Sequence, residues 1–324
     1  MAGSFFLDKR AMMSVEIIVF TKEGYAMKRL LSLCFIIVLL LAGCAAPQSQ
    51  ADIAATTLPV YEFTARLCEG TDLTVVRLVT EPVSCLHDYS LNVRQVRAAE
   101  AAALIVVSGA GLEDFMEDLL LGKTVVDSSE GIALLEGGHG HNHAREEDIS
   151  GHDHEDHHHE EDPHIWLSPE NAKVMARNIC EGLCTRYPEH TDTFQRNLTP
   201  LLEDLDALQS YGEAALDDLQ CRELITFHDG FSYLAASFNL QILEAVEEES
   251  GSEASAAELI HLIQEVRLHK LPAVFTEALG SVSAAQIIAA ETGAGLYTLD
   301  MAMHGESYFE AMYHNIDTLK GALG

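Results

Sequence analysis

From residue 58 onward the chain alternates short β-branched and aliphatic runs with longer stretches whose apolar residues recur at helical spacing. This pattern predicts helices over 57–69, 91–102, 113–121, 168–186, 191–219, 230–238, 255–269, 284–292 and 307–323. Strands are predicted over 73–80, 104–108, 124–127, 223–227, 240–245, 273–276 and 296–299. Local signals agree with these boundaries. Ser168 precedes Pro169 as an N-cap precedes a first-turn proline, Ser255 and Glu258 have capping-box spacing, and Gly293 follows the helix over 284–292. Leu198, Leu201, Leu202, Leu205 and Leu208 make 191–219 one long helix, which at 1.5 Å per residue would extend ~43 Å. Such a length suits a strut. Alternation on both sides of it predicts an α/β protein of two lobes, each a mostly parallel sheet flanked by helices. The lobes are read as 58–190 and 220–324, with 191–219 linking them and any ligand site in the cleft between.

The N-terminus has a different character. Met27-Lys28-Arg29 is followed by an apolar run from Leu30 to Leu41 and then by Ala42-Gly43-Cys44. A basic start, a short apolar stretch and small residues before a cysteine fit a bacterial secretion signal, and the run is shorter than the ~20 residues a bilayer crossing needs. Leu41-Ala42-Gly43-Cys44 resembles a lipobox, which makes Cys44 the lipidated first residue of the mature chain. Residues 1–43 are therefore read as an upstream extension plus signal peptide, with translation starting at Met27. Residues 44–57, small and polar, are read as a tether. The expected location is outside the cytoplasmic membrane, held by lipid. A signal anchor is the alternative.

Composition narrows the function. Of 324 residues, 51 are acidic and 19 are Lys or Arg, for a formal net charge of −32. That balance repels phosphate backbones and argues against nucleic-acid binding, while it suits the collection of cations. Nothing in the sequence calls for an oligomer, and a monomer is expected. Export permits disulfides. With Cys34 lost in the signal and Cys44 lipidated, Cys68, Cys85, Cys180, Cys184 and Cys221 remain, and Cys68 with Cys85 is the candidate bridge.

In open parallel sheets, ligands bind beyond the carboxyl ends of the strands. Four residues with ligand chemistry follow predicted strands: His87, His164, His228 and Asp300. Three imidazoles and a carboxylate form a natural tetrahedral shell for Zn²⁺. Water or Glu277 is the alternative to Asp300, and Glu277, at another strand end, is otherwise read as a carboxylate that orients a ligand imidazole. Trp166 is expected to pack behind His164.

The segments around these residues carry a family resemblance. His87-Asp88-Tyr89-Ser90-Leu91, Asp162-Pro163-His164-Ile165-Trp166-Leu167-Ser168-Pro169, Phe227-His228-Asp229-Gly230-Phe231-Ser232-Tyr233-Leu234 and Tyr297-Thr298-Leu299-Asp300 occur in that order. Together they resemble the solute-binding proteins of zinc and manganese ABC transporters, the ZnuA/TroA-like family, over roughly 58–324. The resemblance implies two lobes with metal at their interface, ligated by His87, His164, His228 and Asp300, and delivery to an ABC permease and its ATPase. Family members with a histidine in the third position resemble zinc binders, whereas manganese binders carry a carboxylate there, so His228 favours zinc. Manganese or another divalent metal is the alternative. Two departures stand out: Leu86 precedes His87, and Met301 stands where the family usually has proline, which predicts a looser loop around Asp300.

Within the first lobe, between the His87 and His164 motifs, lies a segment, 139–162, that interleaves His139, His141, His143, His152, His154, His157, His158 and His159 with Glu and Asp. So many imidazoles in a nearly apolar-free stretch predict loose zinc binding and hand-over to His164. Rival readings are a zinc hydrolase, disfavoured because a full set of four protein ligands leaves no open coordination position, and a surface adhesin or zinc store that acts without a transporter.

Overall fold

The computed structural model describes residues 51–83, 86, 89–137, 161–246 and 254–324. Two four-stranded sheets, each wholly parallel, organise these residues. The first contains β1 (Ile53–Ala55), β2 (Val75–Arg77), β3 (Leu104–Val107) and β4 (Val125–Asp127) in the order β2-β1-β3-β4. The second contains β5 (Glu223–Thr226), β6 (Gln241–Ala245), β7 (Ala273–Glu277) and β8 (Gly295–Leu299) in the order β6-β5-β7-β8. Helices α1 (Leu58–Leu67), α2 (Val93–Ala101), α3 (Glu117–Leu120) and α4 (Pro169–Arg186) belong to the first lobe. After α5 (Thr191–Ala215) come α6 (Ser232–Ser237), α7 (Ala256–His269), α8 (Ser283–Thr292) and α9 (Tyr308–Leu323).

The predicted caps form. Ser168 Oγ accepts from Asn171 N, Ser255 and Glu258 close a reciprocal capping box, and Gly293 ends α8 in the left-handed region at φ +81°. Helix α5 is 25 residues long, shorter at its C-terminal end than its leucine pattern predicts, and it packs on α4, α1 and α9. It therefore bridges the lobes, as a strut would.

One expectation is corrected. The stretch 44–57, read as a tether, includes β1, whose three residues are fully buried between β2 and β3. Ile53-Ala54-Ala55 is too short and too rich in small residues to display a strand pattern. Its burial comes from the flanking strands, which satisfy its backbone groups on both sides.

The apolar core is continuous across the lobes. Ile53, Phe63 and Trp166 belong to the same buried cluster as Phe275, Leu299 and Met312. Phe63 on α1 packs edge to face on Tyr308 of α9, 5.2 Å between centroids. Glu62, also on α1, accepts from Tyr308 N at 2.6 Å and from Ser307 Oγ at 3.3 Å, so one lobe caps the last helix of the other. Opening the lobes as rigid bodies would expose this shared core to water, which is costly at ~25 cal/mol per Å². Among the described residues, no helix is long and apolar enough to cross a membrane.

At the carboxyl ends of β1 and β3 lies Glu113, whose carboxylate accepts from Thr56 Oγ1, Ser108 N and Gly109 N. Burial pushes this carboxyl up to about 7, against the pull of those three donors. Because its folded pKa exceeds the unfolded value, the folded chain holds the proton more tightly. The associated stability is present below about pH 4.5 and disappears as pH rises through 7. Over that window Glu113 is expected to remove about 3 kcal/mol of stability. Denaturant melts of metal-free protein at pH 4.5 and 7.5 check this, and Glu113→Gln should reduce the difference between them by that amount.

Candidate metal site

Neighbouring parallel strands run ~4.8 Å apart, so side chains just beyond their carboxyl ends stand in a row. In the second lobe β5, β7 and β8 are adjacent, and His228, Glu277 and Asp300 stand at or just beyond their carboxyl ends. His228 Nδ1 lies 4.0 Å from Glu277 Oε2 and 4.0 Å from Asp229 Oδ1. Burial, reinforced by the charge of Asp300, pushes the Glu277 carboxyl up to about 7. Glu277 thus lies between His228 and the charge of Asp300 in the row.

The first lobe supplies His164, in the segment between β4 and α4. Asp162 Oδ1 accepts from His164 N at 2.9 Å and from His164 Nδ1 at 2.8 Å. With a carboxylate as acceptor, Nδ1 carries the proton and Nε2 presents its lone pair. That Nε2 is buried and has no hydrogen-bond partner among the described residues. Leaving such an acceptor unmet costs about 1–3 kcal/mol, a cost that a cation at Nε2 would offset.

His164 and His228 meet across the cleft, ring centroids 5.3 Å apart and planes at 82°. They are 1% and 8% exposed. Trp166, fully buried, packs its edge against His164 at 5.4 Å and donates Nε1–H to the Met301 carbonyl at 2.7 Å. Packing behind His164 is thus its role, as expected, and it also ties the Asp300 loop to the first lobe.

Asp300 follows β8, on the far side of Glu277 from His228 in the row. Its backbone N and O are both held by the Asn315 side chain at 2.7 Å, and Oδ1 accepts from Ala302 N at 2.7 Å. The looser loop predicted from Met301 is not found. Met301 is buried, and its carbonyl and the flanking backbone are fixed by Trp166 and Asn315. Among the described residues, no three His, Cys, Asp or Glu side chains stand close enough to enclose one ion. His87, Cys85, Cys44 and His139, His141, His143, His152, His154, His157, His158 and His159 lie outside the described residues. Cys68 is buried, has no disulfide partner among the described residues, and burial pushes its thiol up to about 12.

Some contributors were not evident from sequence. Tyr233 on α6 accepts from Leu135 N at 2.9 Å and donates to the Asp162 carbonyl at 3.0 Å. Asp162 N donates to Leu135 O, and Glu136 pairs with Glu161 in an antiparallel bridge. The two stems that flank the His-rich segment are therefore pinned together beside His164. Asn315, fully buried on α9, gave only the weak signal of an amide on an apolar helix face.

Two parallel-sheet lobes bridged by a long helix, with an imidazole pair between them, define a two-lobed solute-binding architecture. The chain belongs to the ZnuA family, described as "Zinc-uptake complex component A periplasmic", which matches residues 53–322. It is 31% identical over 313 residues to the zinc-binding lipoprotein AdcA of Streptococcus pneumoniae serotype 4 (strain TIGR4), covering 90% of this chain and 59% of that protein. It is 28% identical over 319 residues to the zinc-binding protein AdcA of Streptococcus pyogenes serotype M3 (strain MGAS315), covering 92% and 61%. The chain thus spans about three-fifths of the length of these relatives. The crystal structure of the Zn(II)-bound ZnuA-like domain of Streptococcus pneumoniae AdcA superposes with a TM-score of 0.69 at 25% identity, covering 85% of this chain and 99% of that domain.

Proposed function

We propose that this protein is the extracytoplasmic zinc-binding component of an ABC importer, which captures Zn²⁺ and delivers it to a membrane permease driven by an ATPase. The observation that carries the reading is the buried His164–His228 pair, with His164 Nε2 sealed from water and unmatched by any donor among the described residues. Imidazole donors favour zinc over manganese, which prefers oxygen ligands. His87 and Asp300 complete the shell in this reading, Asp162 and Glu277 orient its imidazoles, and the His-rich segment collects ions near His164. Cys44 anchors the mature chain, a monomer, by lipid. The role is binding and release, with no bond made or broken in a substrate.

Metal analysis and zinc titration of the purified mature chain test this. The single tryptophan, Trp166, lies against His164 and serves as an internal reporter. One tight zinc per chain is expected, plus weaker ions on the His-rich segment. Preference for manganese over zinc would overturn the assignment. Asp162→Asn separates orientation from ligation. The amide accepts less strongly from Nδ1–H, and affinity should fall by about 10- to 100-fold with the fold retained. Competition against a zinc chelator measures it, and parental affinity would remove Asp162 from the site.

A further inference from the structure

His304 was not among the sequence candidates, yet it faces Asp300: His304 Nε2 lies 3.7 Å from Asp300 Oδ2. That separation is beyond a hydrogen bond. Two donors on one tetrahedral zinc, each at ~2.0–2.1 Å, stand roughly 3.4 Å apart, so the gap is close to what a shared cation requires. Asp300 is prepared for the contact. Its backbone is held on both sides by Asn315 and its Oδ1 by Ala302 N, which leaves Oδ2 as the oxygen turned toward His304. The chain is bent to bring residue 304 back: Ala302 adopts φ +55°, a left-handed conformation unfavourable for a residue with a Cβ, and Gly305 follows at φ +87°. The far side of the bend is fastened to the first lobe, where Arg77 Nη1 donates to Gly305 O at 3.1 Å and Glu62 accepts from Tyr308 N.

Exposure separates this pair from the buried one. The side chains of His304 and Asp300 are 22% and 19% exposed, so solvent reaches them. On its inner side Asp300 neighbours Glu277, which in turn neighbours His228. The geometry points to a two-donor station at the rim of the cleft, in which His304 Nε2 and Asp300 Oδ2 hold a divalent cation in passage between solvent and the buried imidazoles. This deepens the zinc-binding reading and rests on it. His304 is a residue of the path, and Asp300 serves both the path and the final site.

The test is the kinetics of Zn²⁺ uptake by metal-free protein, read by Trp166 fluorescence and by competition with a fluorescent zinc chelator. Release is followed by mixing the zinc form with excess chelator. The variants are His304→Ala, His304→Lys and His304→Cys. A station on the path speeds uptake and release alike without setting affinity. The alanine variant should therefore slow both by roughly tenfold while equilibrium affinity stays within about threefold. Lysine places a positive charge beside Asp300 but offers no lone pair while protonated, so it should be as slow as alanine. Cysteine restores a donor and most of the rate. Parental rates in the alanine or lysine variant would overturn the station, since the contact would then be absent from the path or only an ion pair. A loss of affinity with intact uptake would overturn it too, by placing His304 in the final shell. Should the parent itself take up no tight zinc, the binding reading fails instead, a result the equilibrium titration identifies separately.

Discussion

Replacing His228 with alanine is expected to abolish the tight zinc site while leaving the protein folded. His228 follows β5 in extended backbone (φ −174°), a conformation open to any residue, so the substitution costs little locally. What it removes is an imidazole that packs edge to face on His164 in a position 8% exposed. A partner that merely orients a ligand costs about 10- to 100-fold in affinity when lost, so losing a ligand should cost more than about a hundredfold, or roughly 2.7 kcal/mol. Chelator competition supplies the affinity, and far-ultraviolet circular dichroism shows that the fold persists. His228→Glu sharpens the experiment, because a carboxylate in this place should turn the site toward harder, oxygen-preferring cations. If His228→Ala bound zinc as the parent does, the buried pair would not be the site.

The sequence disclosed most of this arrangement wherever local chemistry determines structure. The capping box at Ser255 and the Ser168-Pro169 start are complete within a few residues, and both helices begin where those signals lie. His164 and His228 were legible because a strand end in an open parallel sheet is where ligands gather, and each follows or nears one. What could not be read is what distant segments impose. β1 is a strand only because β2 and β3 flank it. Met301 in place of proline predicts slack, but Trp166, 135 residues away, holds its carbonyl. Glu62 caps a helix that starts 246 residues later, and Tyr233 reaches Asp162 across 71. These contacts give the site its rigidity. They also join the two lobes, so metal exchange is expected to proceed by local movement of the loops around the cleft, with the shared core left closed.

Gly230 offers the most demanding check on that rigidity. It occupies the turn between His228 and α6, and its φ is not in the left-handed region, so its backbone does not require glycine. Space does. A Cβ there would stand 2.6 Å from Met301 Cε, 2.8 Å from His164 Nδ1 and 2.9 Å from His164 Cε1. The methionine methyl ends a flexible chain and can swing away. The imidazole has less freedom, since Asp162 holds its Nδ1 and Trp166 blocks one edge. Gly230→Ala must therefore tilt the ring and displace Nε2. Overpacking of this kind costs about 1–3 kcal/mol of stability, and displacement of a ligand should lower zinc affinity by about 10- to 100-fold, the scale of losing its orienting partner. The double variant Gly230→Ala, Met301→Ala distinguishes the two contacts. Removing the methionine relieves one of them, so part of the stability should return, whereas the collision with His164 persists and affinity should stay low. Full recovery of zinc affinity in the double variant would show that His164 yields freely, and that the fixed imidazole is not what holds the metal.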